Sequence, residues 1–213
     1  MSEQAPHFKK ITFPAGPLQC NCTILANLSS KEAIVVDPGG DADKIFALTN
    51  EMGVKIVEIL HTHAHLDHIL ASGRLKELSG APLRLHQDDK VLWDNLESQC
   101  MMFNIPFQPT PPPDSYLEHE EDIRCIDGHC LHTPGHTPGS MSFHFPKNNL
   151  LIAGDTLFRG SIGRTDLWGG DSQKIVTSIK ELYKLDEATT VITGHGPETT
   201  LAFEMRNNPF VKA

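Results

Sequence analysis

The stretch His61-Thr62-His63-Ala64-His65-Leu66-Asp67-His68 places four imidazoles and a carboxylate within eight residues. It follows the apolar run Val54, Ile56, Val57, Ile59 and Leu60, which reads as a buried strand. Neutral imidazole is the commonest metal ligand, and a carboxylate beside it adds an anionic oxygen for a second divalent ion. Burying so many polar rings without partners would cost ~1–3 kcal/mol per unsatisfied group. The fold therefore has to bring a metal, or an equivalent set of partners, to the end of this strand. His61 shares strand parity with His63 and His65, so spacing alone leaves it among the candidates.

Around this stretch the chain alternates strands and helices. Short strands at 7–13, 22–26 and 33–37 open as an antiparallel meander. Asp37-Pro38-Gly39-Gly40-Asp41 stops the third strand, and Asp41 is placed to cap a helix with Ile45, Leu48 and Met52 on one face. The spacing predicts a strand at 54–60, a helix from about 68 to 78 ended by Gly80, a strand at 82–86 and a helix from Asp88 or Asp89 to about Met102. Prolines at 109, 111, 112 and 113 make 108–114 an irregular crossover. Strands return at 123–126, 130–133, 140–145 and 150–154, the last apolar throughout as a strand covered on both faces should be. A glycine-rich loop spans 159–170, Ile175, Ile179 and Leu182 share a helix face, and a strand at 190–193 ends in Gly194-His195-Gly196.

Strand, Asp, loop, Gly-Gly-Asp, helix, strand and a Thr followed within two residues by His occur in that order from Ala33 to His63 and again from Leu150 to His195. We read this as an internal duplication that sets polar residues at strand carboxyl ends. Two such units packed sheet to sheet, helices outside, give an α/β four-layer αβ/βα sandwich with one shared groove. At 213 residues, 39% of them hydrophobic, the expectation is one domain over 1–213.

Bulk properties exclude some classes. A formal charge of −9 lacks the basic footprint of a nucleic-acid binder. No run approaches the ~20 apolar residues of a membrane span, and Met1 to Lys10 lacks an apolar core of the signal-peptide kind, so a cytoplasmic protein is expected. Cys20, Cys22, Cys100, Cys125 and Cys130 are odd in number and form no Cys-x-x-Cys pair, which makes them structural thiols. Nothing in the surface residues points to an oligomeric state.

Three separated residues extend the histidine stretch: His136 in Thr133-Pro134-Gly135-His136-Thr137-Pro138-Gly139, whose glycines would let the backbone pass close to an ion, Asp155 after the apolar strand, and His195 between two glycines. With His63-x-His65-x-Asp67-His68 they resemble the motif set of the metallo-β-lactamase superfamily, in its order, from about residue 20 onward. The resemblance implies the four-layer sandwich already reached by the duplication. It also implies a ligand set: His63, His65 and His136 for one ion, Asp67, His68 and His195 for a second, and Asp155 bridging. The family string starts at Thr62, which leaves His61 outside, and His7, His86, His119, His129, His132 and His144 match no motif position.

Zinc β-lactamases differ in usually carrying Cys where Asp155 stands. Gly154-Asp155-Thr156-Leu157-Phe158, Gly194-His195-Gly196-Pro197-Glu198, the loop Arg159 to Asp166 and Asn208-Pro209-Phe210 are similar to the compact, single-domain (type II) branch of glyoxalase II, hydroxyacylglutathione hydrolase. Two-domain glyoxalase II carries a helical carboxyl-terminal clamp, and the 18 residues that follow His195 lead us to expect none here. The activity implied is hydrolysis of a small-molecule thioester, S-lactoylglutathione or a related acyl-thiol, by hydroxide held between two divalent ions, zinc first, with iron or manganese as alternatives. Asp67 and Asp155 would offset the ions' charge and orient the water. Arg164, with Arg159 as the alternative, would meet a substrate carboxylate, and Asp37 is either a partner of a ligand histidine or a turn cap. A single-iron persulfide dioxygenase with a similar Gly163-Arg164-Thr165-Asp166 loop is the alternative activity, and a non-catalytic metal-binding domain the third reading.

Overall fold

The computed structural model describes residues 8–212. His7, and with it the first residue of the expected opening strand, lies outside the described residues. Three antiparallel strands lead the first half: β1 (Phe8–Ala15), β2 (Cys20–Asn27) and β3 (Glu32–Val36). Helix α1 (Ala42–Glu51) crosses to β4 (Lys55–Leu60), which runs parallel to β3 with Val36 opposite Leu60. Short helices α2 (Leu66–Ile69) and α3 (Ser72–Ser79) lead to β5 (Leu83–His86). After α4 (Lys90–Asp94) and α5 (Leu96–Met102), the proline-rich crossover returns the chain to an edge strand, β6 (Ser115–Leu117).

The second half repeats the plan. β7 (Asp122–Ile123), β8 (Gly128–His132), β9 (Met141–Phe145) and β10 (Leu150–Gly154) are successively antiparallel. A small hairpin, β11 (Leu157–Phe158) and β12 (Ser161–Ile162), precedes α6 (Ser172–Leu182) and β13 (Thr190–Thr193), which pairs parallel to β10. β14 (Thr199–Thr200) and α7 (Leu201–Asn207) follow. The strand orders are β1-β2-β3-β4-β5-β6 and β14-β13-β10-β9-β8-β7, and the parallel unit β3-α1-β4 of the first sheet has its counterpart in β10-α6-β13 of the second.

Side-chain alternation explains the layers. In β3, Ile34 and Val36 face the second sheet while Ala33 and Val35 face the helices. In β10, Leu150 and Ile152 face the first sheet while Leu151 and Ala153 face α6. Phe143, Phe145, Leu25 and Leu60 fill the layer between the sheets. At ~1.5–3 kcal/mol per fully buried large apolar side chain, this middle layer dominates the packing energy that joins the halves. A strand apolar on both faces is thus what the four-layer plan requires.

Several local expectations need correction. The helix expected over 68–78 breaks between Ile69 and Ser72, because the Ala71 N–H leaves the helical ladder to reach the Pro38 carbonyl at 2.9 Å. The helix expected up to Met102 breaks at Asn95, whose side-chain amide donates to the Val91 carbonyl at 2.8 Å. Only Asp122 and Ile123 of the 122–126 region are strand, since Cys125 sits at φ 59° in a turn. The 159–170 loop contains β12, and the segment after His195 carries β14 and α7. Asp41 stands at the start of α1, but its carboxylate accepts from Gly16 N–H at 3.0 Å rather than from the helix. Its counterpart Asp171 does cap α6, accepting from Gln173 and Lys174 N–H at 2.9 and 3.0 Å.

Candidate metal centre

The carboxyl ends of β3, β4, β10 and β13 open at one edge of the sandwich, together with the loop between β8 and β9. These five segments supply Asp37, the 61–68 stretch, Asp155, His195 and His136. His63 Nε2 lies 3.1 Å from His65 Nδ1, and that atom lies 2.9 Å from His136 Nε2. The three nitrogens converge as the ligands of one ion do.

A second group adjoins it. His195 Nε2 is 3.0 Å from Asp67 Oδ2, and His68 Nε2 is 3.8 Å from the same oxygen. Asp155 faces both groups: Oδ2 is 3.6 Å from His136 Nε2 and 3.9 Å from His195 Nε2, while Oδ1 is 3.4 Å from His68 Nε2. Every residue expected as a ligand is therefore brought to one centre.

Two observations test whether this set fits metal ions. His68 Nε2 and Asp155 Oδ1 are buried without a hydrogen-bond partner, a costly arrangement for groups of this polarity. The site is also shaped by a missing side chain, since a Cβ at Gly194 would stand 1.9 Å from Asp155 Oδ1 and 3.0 Å from His68 Cε1. His68 Nε2 belongs to the second group, and Asp155 Oδ1 to the carboxylate that faces both groups. The donor set, five imidazoles and two carboxylates, suits divalent zinc, iron or manganese.

The protonation states agree. Burial, reinforced by the neighbouring imidazoles, pushes His63 well down and His65 to about 3, and burial also lowers His136, which keeps their lone pairs free. Burial acts to raise Asp67 and Asp155, but His68 and His195 hold both carboxyls below the usual range. The hydrogen bond to Asp67 raises His195, and the acidic groups around His68 raise that ring against the effect of burial, so both must give up a proton to bind an ion.

The neighbouring shell orients the rings. Asp37 Oδ2 faces His68 Nδ1 at 3.0 Å and accepts from the Thr62 hydroxyl at 2.6 Å, while Oδ1 accepts from Thr62 N–H at 2.7 Å. Of the two sequence readings for Asp37, the partner of a ligand histidine is the one realised. Cys20 Sγ also approaches His68 Nδ1, at 3.3 Å, but burial pushes this thiol up to about 12 and it offers no thiolate. His136 Nδ1 donates to the main-chain carbonyl of Arg164 at 2.8 Å, a contact no sequence pattern signalled.

The other candidates divide clearly. His61 is fully buried, with Nδ1 donating to the Arg84 carbonyl at 2.8 Å, Nε2 accepting from the Ser72 hydroxyl at 2.7 Å and its edge on Trp93. Both nitrogens are used, so it is no ligand. His86 and His132 stack with centroids 4.1 Å apart and planes 11° apart, so their in-plane lone pairs run parallel instead of converging on an ion. The Arg164 guanidinium forms a two-bond fork with Asp166 at 2.7 and 2.8 Å, and Arg159 lies over the Phe203 ring at 5.4 Å. Gly135 and Gly139 do not make room for an ion as expected: added Cβ atoms would meet the Ile175 backbone at 2.2 Å and Asp89 at 2.7 Å.

Comparison with known proteins agrees with this geometry. A "Probable metallo-hydrolase YqgX" of Bacillus subtilis is 40% identical over 203 residues, covering 93% of this chain and 95% of the relative. The "Hydroxyacylglutathione hydrolase GloC" of Haemophilus influenzae is 35% identical over 205 residues, covering 94% and 96%. Among solved structures, "BLEG-1 B3 metallo-beta-lactamase" superposes with a TM-score of 0.88 at 37% identity, covering 96% of this chain and all of that one. "TTHA1623 in a di-iron-bound form" also gives 0.88, at 36% identity, covering 94% and 100%. The family model for the metallo-beta-lactamase superfamily matches residues 15–195, a span that holds every residue of the two groups described above. The chain belongs to the metallo-beta-lactamase superfamily.

Proposed function

We propose that the chain is a two-metal hydrolase of small thioesters, with S-lactoylglutathione as the first substrate to test. The observation that carries this reading is the convergence of two donor groups with Asp155 facing both, where His68 Nε2 and Asp155 Oδ1 lie buried 3.4 Å apart without a hydrogen-bond partner. Two divalent ions bound there would polarise a carbonyl oxygen and lower the pKa of a water towards about 7. His63, His65 and His136 would hold one ion, and Asp67, His68 and His195 the other, with Asp155 shared.

The remaining work falls to the chain's own groups. Asp67 and Asp155 are held anionic, so their oxygens offset positive charge and accept hydrogen bonds from the attacking water, which fixes its direction. Asp37 keeps the His68 ring in one orientation. A thiolate leaves a collapsing thioester without needing a strong acid, because a thiol has a pKa of about 8.5. Arg164 is the anion-binding candidate: its carbonyl already holds His136, and its exposed fork would exchange Asp166 for a substrate carboxylate. Arg159 is the alternative, in a groove shared with Glu198 and Thr200. Likeness to a protein described as hydroxyacylglutathione hydrolase supports the thioester, and likeness to one described as a B3 metallo-beta-lactamase makes a β-lactam the second substrate to test.

The test follows loss of the S-lactoylglutathione thioester by metal-quantified protein, beside His63→Ala, Asp155→Ala and a β-lactam control. Rapid thioester loss abolished by both substitutions supports the reading. No loss from protein carrying two metal equivalents overturns it, and oxygen uptake with glutathione persulfide would then support the single-iron dioxygenase.

A further inference from the structure

The ligand set is assembled from both halves of the chain. His63 and His65 come from the loop after β4 and Asp67 and His68 from α2 directly behind it, whereas His136 and His195 ride on loops of the second half. Each of those two loops is tied to the first half by one buried polar side chain that no ligand motif contains.

Asp89, directly before α4, is fully buried. Its Oδ2 accepts from Ala64 N–H at 3.0 Å, between His63 and His65, and from the Thr137 hydroxyl at 2.8 Å, beside His136. Its Oδ1 accepts from Gly139 N–H at 2.6 Å. One carboxylate thus clasps both loops that form the three-histidine group. Asn21, buried on β2, does the corresponding work at the other group. Its Nδ2 donates to the carbonyls of Thr193 and Gly196, each at 2.9 Å, and its N–H donates to the Gly194 carbonyl at 2.7 Å. These contacts bracket His195 on both sides. The two clasps share no residue.

We propose that Asp89 and Asn21 are separate positioning residues, Asp89 setting the three-histidine metal position and Asn21 setting the position of Asp67, His68 and His195. Each metal affinity is then adjustable without the other. The inference rests on the two-metal reading above. Asp89 meets three donors and no acceptor, so an isosteric Asn at this place must turn an amide N–H towards a donor. At Asn21, truncation to Ala removes both side-chain bonds to the His195 loop while the main-chain bond to Gly194 remains.

The test refills metal-depleted full-length protein with Co(II) and follows the paramagnetically shifted proton resonances of the coordinated rings. His63→Ala and His195→Ala identify which resonances report each position. Outer-group changes of this kind lower metal affinity by roughly 10–100-fold. Asp89→Asn is expected to weaken the three-histidine position by that factor and leave the other within about threefold, and Asn21→Ala to do the reverse. Thr137→Val, which removes one of the three donors to Asp89, guards against failure of Asp89→Asn to fold, and should weaken the three-histidine position alone by a smaller factor. Equal weakening of both positions, or of neither, in protein whose wild type takes two Co(II) overturns this inference and leaves the two-metal reading standing. Wild-type protein that binds no Co(II) overturns both.

Discussion

Replacing His61 by Ala separates a structural histidine from the ligands beside it. The imidazole is fully buried and makes two side-chain hydrogen bonds, to the Arg84 carbonyl and the Ser72 hydroxyl. Its loss leaves the Ser72 hydroxyl facing a cavity, whereas the Arg84 carbonyl keeps its bond from the His61 N–H at 3.1 Å. Two lost bonds at ~1 kcal/mol each and one orphaned hydroxyl with its cavity at ~1–2 kcal/mol total about 3–4 kcal/mol. For a chain of this size each kcal/mol moves the midpoint by roughly 2–4 °C, which predicts a fall of about 6–16 °C in Tm. Urea unfolding of metal-loaded protein, with metal content measured on the same samples, makes the comparison. The account predicts a lower midpoint at unchanged slope and two retained metal equivalents. A variant as stable as wild type that has lost one equivalent would show that His61 is a ligand and that the geometry drawn here is wrong.

Other predictions follow from the same contacts. Metal affinity at the Asp67, His68 and His195 position should rise with pH above the ordinary histidine value of 6.5, because the raised His68 and His195 must release their protons, while the three-histidine position changes less, its rings being lowered already. Competition with a chelator across that range measures both slopes, and the reverse order would refute the assignment. Arg164→Ala should raise KM for an anionic thioester more than for a neutral one, and Asp166→Ala should lower it by freeing the guanidinium from its fork. Equal effects on the two substrates would remove Arg164 from the binding site. Glu204 is fully buried and accepts from Gly160 N–H, the Thr199 hydroxyl and the Asn208 amide, so Glu204→Gln should cost ~1–3 kcal/mol and speed amide exchange at Gly160 in the β11–β12 hairpin. Unchanged exchange there would mean that α7 does not hold the hairpin.

That these residues gather at one centre was legible in the sequence because their chemistry is carried by residue type at fixed positions after apolar strands. The layer plan was legible for a similar reason, since Leu150 to Gly154 can be apolar on both faces only if both are covered. What escaped was decided by contacts distant in sequence. His61 and His63 have the same strand parity, so the resemblance alone left His61 out, and the physical reason, its bonds to the Ser72 hydroxyl and the Arg84 carbonyl, lies in contacts distant in sequence. Asp89 looks locally like a helix start, yet its partners are Ala64, Thr137 and Gly139. Asp41 and Asp171 follow identical Gly-Gly pairs, but Gly16 captures one carboxylate and leaves the other to cap its helix. The break at Ala71 depends on the Pro38 carbonyl. Two-residue strands such as β7 and β12 carry too little pattern to be read without their partners.

The central claim is that seven side chains hold two ions with Asp155 between them. Anomalous diffraction from crystals of metal-loaded protein tests it most directly. The account predicts two peaks roughly 3.5–4 Å apart, one among His63, His65 and His136 and the other among Asp67, His68 and His195. A single peak, or a peak at His61 or between His86 and His132, would contradict it.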